Sequence, residues 1–172
     1  LAGTLMLRGG VEGLGTDANF GQVRATVSWF RGLGERNRLI VRGELGHTFT
    51  DQLVAMPPSL RFFAGGDRSI RGYAWREVGP RHLGPDGKLY ALGAKNVATG
   101  SVEFEHYFTE QWGAAAFVDG GSAFDSDPDW HTGVGAGVRW RSPVGPVRLD
   151  FAHGLDDPDS SFQIYLSVGA DL

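Results

Sequence analysis

The chain has 172 residues, a formal net charge of −4 and no cysteine. That length suits one domain, the missing cysteines exclude disulfides and thiolate metal sites, and the mildly acidic balance without a basic run excludes a nucleic-acid footprint. No apolar stretch approaches the roughly 18–20 residues that a membrane-spanning helix needs.

In chain order, a weak alternation at Gly3 to Arg8 opens the pattern, and Leu1 already lies in it, with no basic start, apolar region or cleavage site before it. Any targeting segment is therefore expected outside this sequence. From Gly21 to Phe30 the period of two is plain: Val23, Ala25, Val27 and Trp29 share one face, and Gln22, Arg24, Thr26 and Ser28 the other. In Arg38 to Phe49, Leu39, Val41 and Leu45 oppose Arg42 and Glu44. Val102, Phe104, His106 and Phe108 oppose Glu103, Glu105 and Tyr107, and Ala114, Ala116 and Val118 oppose Phe117 and Asp119. The same split recurs in Val134 to Arg141, Val147 to His153 and Phe162 to Val168.

These segments predict about eight strands, each near the ~9–11 residues that cross a bilayer at a tilt. Long connections (Gly9 to Asn19, Thr50 to Ala94, Ser122 to His131) and a medium one (Gly154 to Ser160) alternate with shorter ones (Arg31 to Asn37, Thr109 to Gln111, Ser142 to Pro146). That asymmetry, with no helical periodicity, predicts an all-β fold, a transmembrane antiparallel β-barrel rather than a soluble sandwich. Trp29, Phe30, Phe108, Trp112 and Trp140 flank the short turns, where an interfacial girdle belongs. A charge facing lipid costs roughly 2–4 kcal/mol at the midplane. Arg24, Arg42, Glu44, Glu103, Glu105, Asp119, Arg139, Arg141, Arg148 and Asp150 are therefore expected to line a polar lumen.

The connection from Thr50 to Ala94, roughly 45 residues, is too long to lack architecture of its own. Folding it inward fixes backbone at about 1–2 kcal/mol per residue, so anchors are needed. Arg71 is the candidate anchor, because a guanidinium bridges carboxylates through paired donors and parity turns Glu103 and Asp119 into the lumen. Gly65, Gly66 and Gly72 permit sharp turns or a close approach to the wall.

Catalysis and cofactors find no support. Asp150 and His153 point to opposite faces of a strand, His106 faces away from Glu103 and Glu105, and no GxSxG elbow occurs. Asp125, Asp127 and Asp129 are spaced like the start of a calcium loop, without its glycine or closing glutamate, so no metal is expected there. They read as a solvated acidic loop, as do Asp156, Asp157 and Asp159. GVGAGV (Gly133 to Val138) precedes no helix to receive phosphate; its alternating glycines are expected to leave space in the wall for the loop.

GGDRSIRGY, comprising Gly65, Gly66, Asp67, Arg68, Ser69, Ile70, Arg71, Gly72 and Tyr73, resembles the VRGF/Y signature in the sixth extracellular loop of the BamA/TamA superfamily of outer-membrane assembly proteins. Phe117, Asp119 and Gly121 resemble the family's FxDxG strand motif, and Gly100 with Glu103 its GxxE motif. The TamA branch is the most similar, through ATGSVEFEHYFTEQWGAAAFVDGGSAF and TGVGAGVRWRSPVGPVRLDFAHGL. The resemblance runs from about Phe62 onward and implies that the loop joins strands eleven and twelve of a sixteen-stranded barrel. Residues 1–172 would then be the carboxy-terminal half of the barrel, without its amino-terminal strands and periplasmic domains.

An inward loop also needs a lumen wider than an eight-stranded barrel, which its own side chains fill. Ser161 to Leu172 would be the closing strand of a lateral seam, with Phe162, Ile164, Leu166 and Val168 along it and Gly169 weakening its end, although Leu172 departs from the aromatic usual at that position. The resemblance further implies no enzyme and no cofactor. It implies a place in the bacterial outer membrane, insertion or autotransporter assembly, and as partners nascent outer-membrane proteins or autotransporters, outer-membrane lipid and a TamB-like periplasmic subunit. The alternatives are a BamA-type or two-partner secretion barrel, or a passive porin.

Overall fold

The computed structural model describes residues 1–13, 17–156 and 162–169. One antiparallel sheet runs in the order β1 (Ala2–Gly10), β2 (Phe20–Leu33), β3 (Asn37–Phe49), β6 (Asn96–Tyr107), β7 (Trp112–Phe124), β8 (His131–Ser142), β9 (Gly145–Gly154) and β10 (Gln163–Val168). The short strands β4 (Arg81–Leu83) and β5 (Leu89–Ala91) pair only with each other, inside the connection from β3 to β6. The fold is thus all-β, a partial barrel of eight strands whose neighbours in sequence are neighbours in space apart from that insertion.

Curvature follows from side-chain reach. Arg148 on β9 bonds Glu103 on β6 at 2.9 Å, although two strands lie between them. A flat sheet would hold those strands about 14 Å apart. The concave face is the charged one. Glu103, Glu105, Asp119 and Arg139 are all buried, while Val102, Phe104, Val118, Leu45, Phe151, Ile164 and Leu166 are exposed on the convex face. Apolar side chains outside and charges inside suit a wall with lipid on one side and a polar lumen on the other.

The ladder runs further than the apolar alternation. β2 and β3 stay paired to Leu33↔Asn37, so the connection expected over Arg31 to Asn37 shrinks to a turn at residues 34–36, where Gly34 takes φ 78°. Hydrogen-bond pairing sets the strand end, and it continues where the apolar contrast has stopped. Phe30 is a second correction: it pairs with buried Ile40 on the concave face and sits 5.9 Å from the Arg38 guanidinium, so it is no part of an outer girdle. Its parity with Gln22 and Arg24 already required this. Trp112 and Trp140 pair across β7 and β8 and stack at 5.4 Å on the outer face.

Within the segment Ser161 to Leu172, β10 takes Gln163–Val168 of the described residues. Phe162 precedes it, and Gly169 leaves it at φ 124° while its N–H still donates to the Pro146 carbonyl at 2.9 Å. Residues 14–16, 157–161 and 170–172, with Asp157, Asp159, Ser161 and Leu172 of the sequence reading, lie outside the described residues.

The long connection has its own core. Phe62, Ala64, Ile70, Tyr73 and Val78 pack with Ala94, Val97 and Ala123 of the loop end and wall. Bridges Phe62↔Ala94 and Ala64↔Val78 tie its limbs together. The Arg61 guanidinium donates to the carbonyls of Val54, Met56 and Leu92 at 2.7 to 3.1 Å. Gln22 on β2 donates to the Leu60 carbonyl at 2.7 Å, binding the loop to the wall.

Gly46 on β3 leaves the space that the Phe62 ring fills. Gly46→Ala should therefore displace the loop at an overpacking cost of about 1–3 kcal/mol. Limited proteolysis of the full-length protein should show faster cleavage within residues 61–95 with strand content unchanged by circular dichroism; an unaltered cleavage rate would refute the tight fit.

Candidate functional site

The site begins with a turn in the loop. Gly65 and Gly66 have φ of 98° and 107°, the Gly66 N–H donates to the Ile70 carbonyl at 3.2 Å, and the Gly65 N–H donates to Ser69 Oγ at 3.2 Å. Ile70 enters the loop core, so the next side chain, Arg71, turns the opposite way, toward the wall. Gly72 then runs against β9 at φ 99°, where an added Cβ would lie 2.5 Å from the His153 carbonyl carbon.

Arg71 is 1% exposed and its guanidinium is saturated. Nε and Nη2 donate to the two oxygens of Asp119 at 2.7 and 2.9 Å, and the Arg71 backbone N–H donates to Oδ2 at 3.0 Å. Nη1 donates to Glu103 at 2.7 Å and Asp150 at 3.2 Å, and Nη2 reaches Ser101 Oγ at 3.3 Å. The ring of Phe117 lies beneath the guanidinium, 3.3 Å from Cζ. One side chain thus joins β6, β7 and β9 from the concave side. Burial pulls the Arg71 pKa down, but the hydrogen bond and charge of Asp119, followed by those of Glu103, outweigh it and raise it above its ordinary value.

The carboxylates are shared. Arg139 on β8 donates to Glu103 at 2.7 Å, Asp150 at 2.5 Å and Glu105 at 2.9 Å. Arg148 donates to Glu103 at 2.9 Å, and Arg38 to Glu105 at 2.8 Å. Guanidinium and carboxylate groups therefore alternate across the lumen, and Glu103, Glu105, Asp150, Arg71 and Arg139 each have more than one partner of opposite sign. β8 makes room for them through its inward glycines. A Cβ on Gly133 would meet the Arg71 carbonyl, one on Gly135 the Phe117 ring, and one on Gly137 the Asp150 carboxylate and Arg139.

Of the residues singled out in the sequence, Arg71, Glu103 and Asp119 come together, with Phe117 below them, while Gly65, Gly66, Ile70, Gly72 and Tyr73 form the turn and loop core. Asp67 and Arg68 are exposed and outside the cage. Gly100 faces outward between Gly43 and Gly120 with no close neighbour, and a Cβ on Gly121 would lie 2.5 Å from the Ala98 carbonyl oxygen. Phe162, Ile164, Leu166 and Val168 project from the convex face of the edge strand or just before it.

Asp150, Ser101, Arg139, Arg148 and Tyr165 were not assigned to this site from the sequence. Parity had put the charged three in the lumen, but it gives the face of a strand and not the height along it. Tyr165 is the less obvious member: its hydroxyl accepts from the Gly72 N–H at 3.2 Å and donates to the Tyr73 carbonyl at 2.8 Å, joining β10 to the loop tip. The Tyr73 hydroxyl in turn contacts the Thr132 carbonyl at 3.2 Å and the Asp156 N–H at 3.1 Å.

The histidines stand elsewhere. His153 stacks on Phe162 at 5.0 Å, on the face opposite Asp150, and His106 lies 2.7 Å from the Asn37 amide oxygen. Among the described residues no group of three histidine or acidic side chains is arranged to hold a metal ion.

The Omp85 superfamily domain matches residues 4–171. The outer membrane protein assembly factor BamA of Nitratidesulfovibrio vulgaris is 33% identical over 110 residues, which cover 59% of this chain and 14% of that protein. The chloroplastic outer envelope protein 80 of Arabidopsis thaliana is 35% identical over 102 residues, covering 55% of this chain and 13% of its own length. The chain therefore spans about a seventh of these relatives. The crystal structure of BamA from Haemophilus ducreyi lacking POTRA domains 1–3 superposes with a TM-score of 0.69 at 21% identity, over 89% of this chain and 36% of that one. That likeness is one of fold.

Removing the guanidinium leaves Asp119, Glu103 and Asp150 facing one another in a buried site. Arg71→Ala should cost about 3–5 kcal/mol, as for other broken buried pairs. Arg71→Lys, which keeps the charge and loses the fork, should cost less. Denaturant titration of the full-length protein in detergent measures both, and equal stability of Arg71→Ala and the parent would show the cage to be energetically idle.

Proposed function

We propose, from the premise that this chain belongs to the Omp85 superfamily, that it forms part of the barrel wall of a factor that inserts or assembles proteins in the bacterial outer membrane. The observation that carries this function is the pairing of a buried loop anchor with an open strand edge. The loop tip is held to β6, β7 and β9 by Arg71 and to β10 by Tyr165. The far edge of β10 has no strand partner among the described residues. An open edge offers unpaired amides and carbonyls to an incoming strand, and the caged arginine keeps the wall behind it in one shape. Arg71, Glu103 and Asp119 act here as the loop anchor, and Phe162 to Gly169 as the seam. Residues 1–172 then form one barrel region, the carboxy-terminal half of a larger barrel whose lumen accommodates the loop.

Two narrower roles separate by client range. In a TamA-like translocation and assembly barrel the clients are autotransporters and a TamB-like periplasmic subunit is the partner, supported by the similarity of residues 98–124 and 132–155 to that branch. A general BamA-like role is supported by the relative of that name, 33% identical over 110 residues. Depletion of the full-length protein followed by outer-membrane proteomics distinguishes them: loss of autotransporters alone supports the first, loss of most barrel proteins the second. Neither role involves turnover of a small-molecule substrate.

The test of the shared function is assembly itself. With the full-length protein in liposomes, Arg71→Ala should slow the folding of an added unfolded barrel protein by about tenfold or more. A client carrying single cysteines should cross-link to Ser167→Cys on β10, and residues 1–172 hold no cysteine of their own to interfere. Active assembly with no cross-link along β10 would sink the seam assignment.

Tyr165→Phe tests the link between loop and seam. It removes one hydroxyl that contacts both Gly72 and Tyr73, so amide exchange in β10 should speed up several-fold. Arg71→Ala should speed β10 exchange in the parent and add little in Tyr165→Phe, because interactions in one chain of contacts are not additive. Full additivity would show that the loop and the seam strand behave independently.

A further inference from the structure

A second feature of the concave face adjoins the cage and does not depend on an assembly role. A cavity of about 340 Å³ lies between the inner faces of β2 and β3 and the loop at residues 67–69. Its size is in the range of small-ligand sites. The positive groups that line it are not equally satisfied. Arg24 is held by both oxygens of Glu44, at 2.8 and 3.0 Å. Arg42 on β3 instead approaches Glu103 only at 3.5 Å, and that carboxylate is already bound by Arg71, Arg139 and Arg148 at 2.7 to 2.9 Å. The buried Nε of Arg42, like that of Arg24, makes no hydrogen bond with the described residues, so what separates the two is the closer carboxylate of Glu44 at Arg24.

Arg68 reaches the same cavity from the loop and makes no ion pair with the described residues. It is the arginine of the GGDRSIRGY segment that the cage leaves unused. The lining acids do not cancel these two. Glu44 is taken by Arg24, and Asp150 by Arg139 and Arg71. Exposed Asp67, beside Arg68, is the remaining acid, so two unfilled cations less one anion leave a surplus of one positive charge. Ser28, opposite Arg42 in the ladder, adds a hydroxyl to the lining.

Two guanidinium forks brought from different elements to line one cavity match a tetrahedral oxyanion, which accepts paired N–H donors on more than one side. Chloride offers no such geometry. We propose that this cavity binds a phosphate-type oxyanion between Arg42 of the wall and Arg68 of the loop. The phosphate is either free or the headgroup of a larger phosphorylated molecule.

Isothermal calorimetry on the full-length protein in zwitterionic detergent at low ionic strength tests this, since salt screens such contacts. Inorganic phosphate should bind saturably, and Arg42→Gln or Arg68→Gln should weaken it by about tenfold. Glycerol 1-phosphate binding more tightly than phosphate points to a headgroup, and equal or weaker binding to the free anion; either supports the site. Loop digestion that matches the parent's certifies the fold of each variant, and if Arg42→Gln misfolds, the exposed Arg68→Gln decides. Three results overturn the proposal: no saturable binding, the same heat from chloride at equal ionic strength, or unchanged affinity in a correctly folded Arg42→Gln. A carboxylate supplied to Arg42 by another part of the full-length protein would give the first of these.

Discussion

The structure depends on a guanidinium taken out of water. Arg71 is buried with Asp119, Glu103 and Asp150 around it, and each of these groups alone would carry a desolvation penalty of several kcal/mol. The penalties are offset only jointly. The carboxylates cannot remain charged and buried together without the arginine, and apart from Ser101 Oγ the arginine's guanidinium is bound by them alone among the described residues. The loop is for that reason a component of the wall and not an appendage to it. Because the acids come from β6, β7 and β9, one set of hydrogen bonds fixes distances across four adjacent strands, and with them the local curvature.

Arg139 and Arg148 extend the same logic. Glu103 is bound by three guanidiniums within 2.9 Å, so no one of them can be treated as its partner. In such a lattice a change at the loop tip is felt at β8 and β9 through shared carboxylates. Tyr165 carries the connection one strand further, to the edge, through the Gly72 N–H and the Tyr73 carbonyl. The position of the loop and the position of β10 are thus linked by contacts that can be named individually.

Much of this was legible in the sequence because a β-strand has a fixed period. Alternation at Val102 to Phe108 and Ala114 to Asp119 is enough to turn Glu103 and Asp119 inward, and an unusually long connection with one candidate anchor is enough to bring Arg71 toward them. What period two cannot supply is height. Asp150 and Arg139 were assigned to the lumen, but only the register Gly137↔Asp150 and Arg139↔Arg148 puts them level with the cage. Strand ends were also hidden, since hydrogen bonding continues beyond the apolar contrast on β2. Phe30 was misread for another reason: aromatic character near a turn was allowed to outweigh the parity of its own strand.

The glycines of β8 show why wall and loop belong to one design. Three inward glycines in a strand of twelve residues would ordinarily weaken it, since glycine adds backbone entropy and no packing. Here the missing side chains are replaced from elsewhere: the Arg71 backbone stands over Gly133, the Phe117 ring over Gly135, and the Asp150 and Arg139 head groups over Gly137. If the loop withdrew, β8 would face an empty groove and the cage would lose its central cation in the same movement. Expelling the loop therefore carries a double penalty, in packing and in electrostatics. Separation of β10 from β9 leaves the Arg71 cage in place, and what it breaks is the β9–β10 ladder, the His153–Phe162 stack and the phenol bridge of Tyr165.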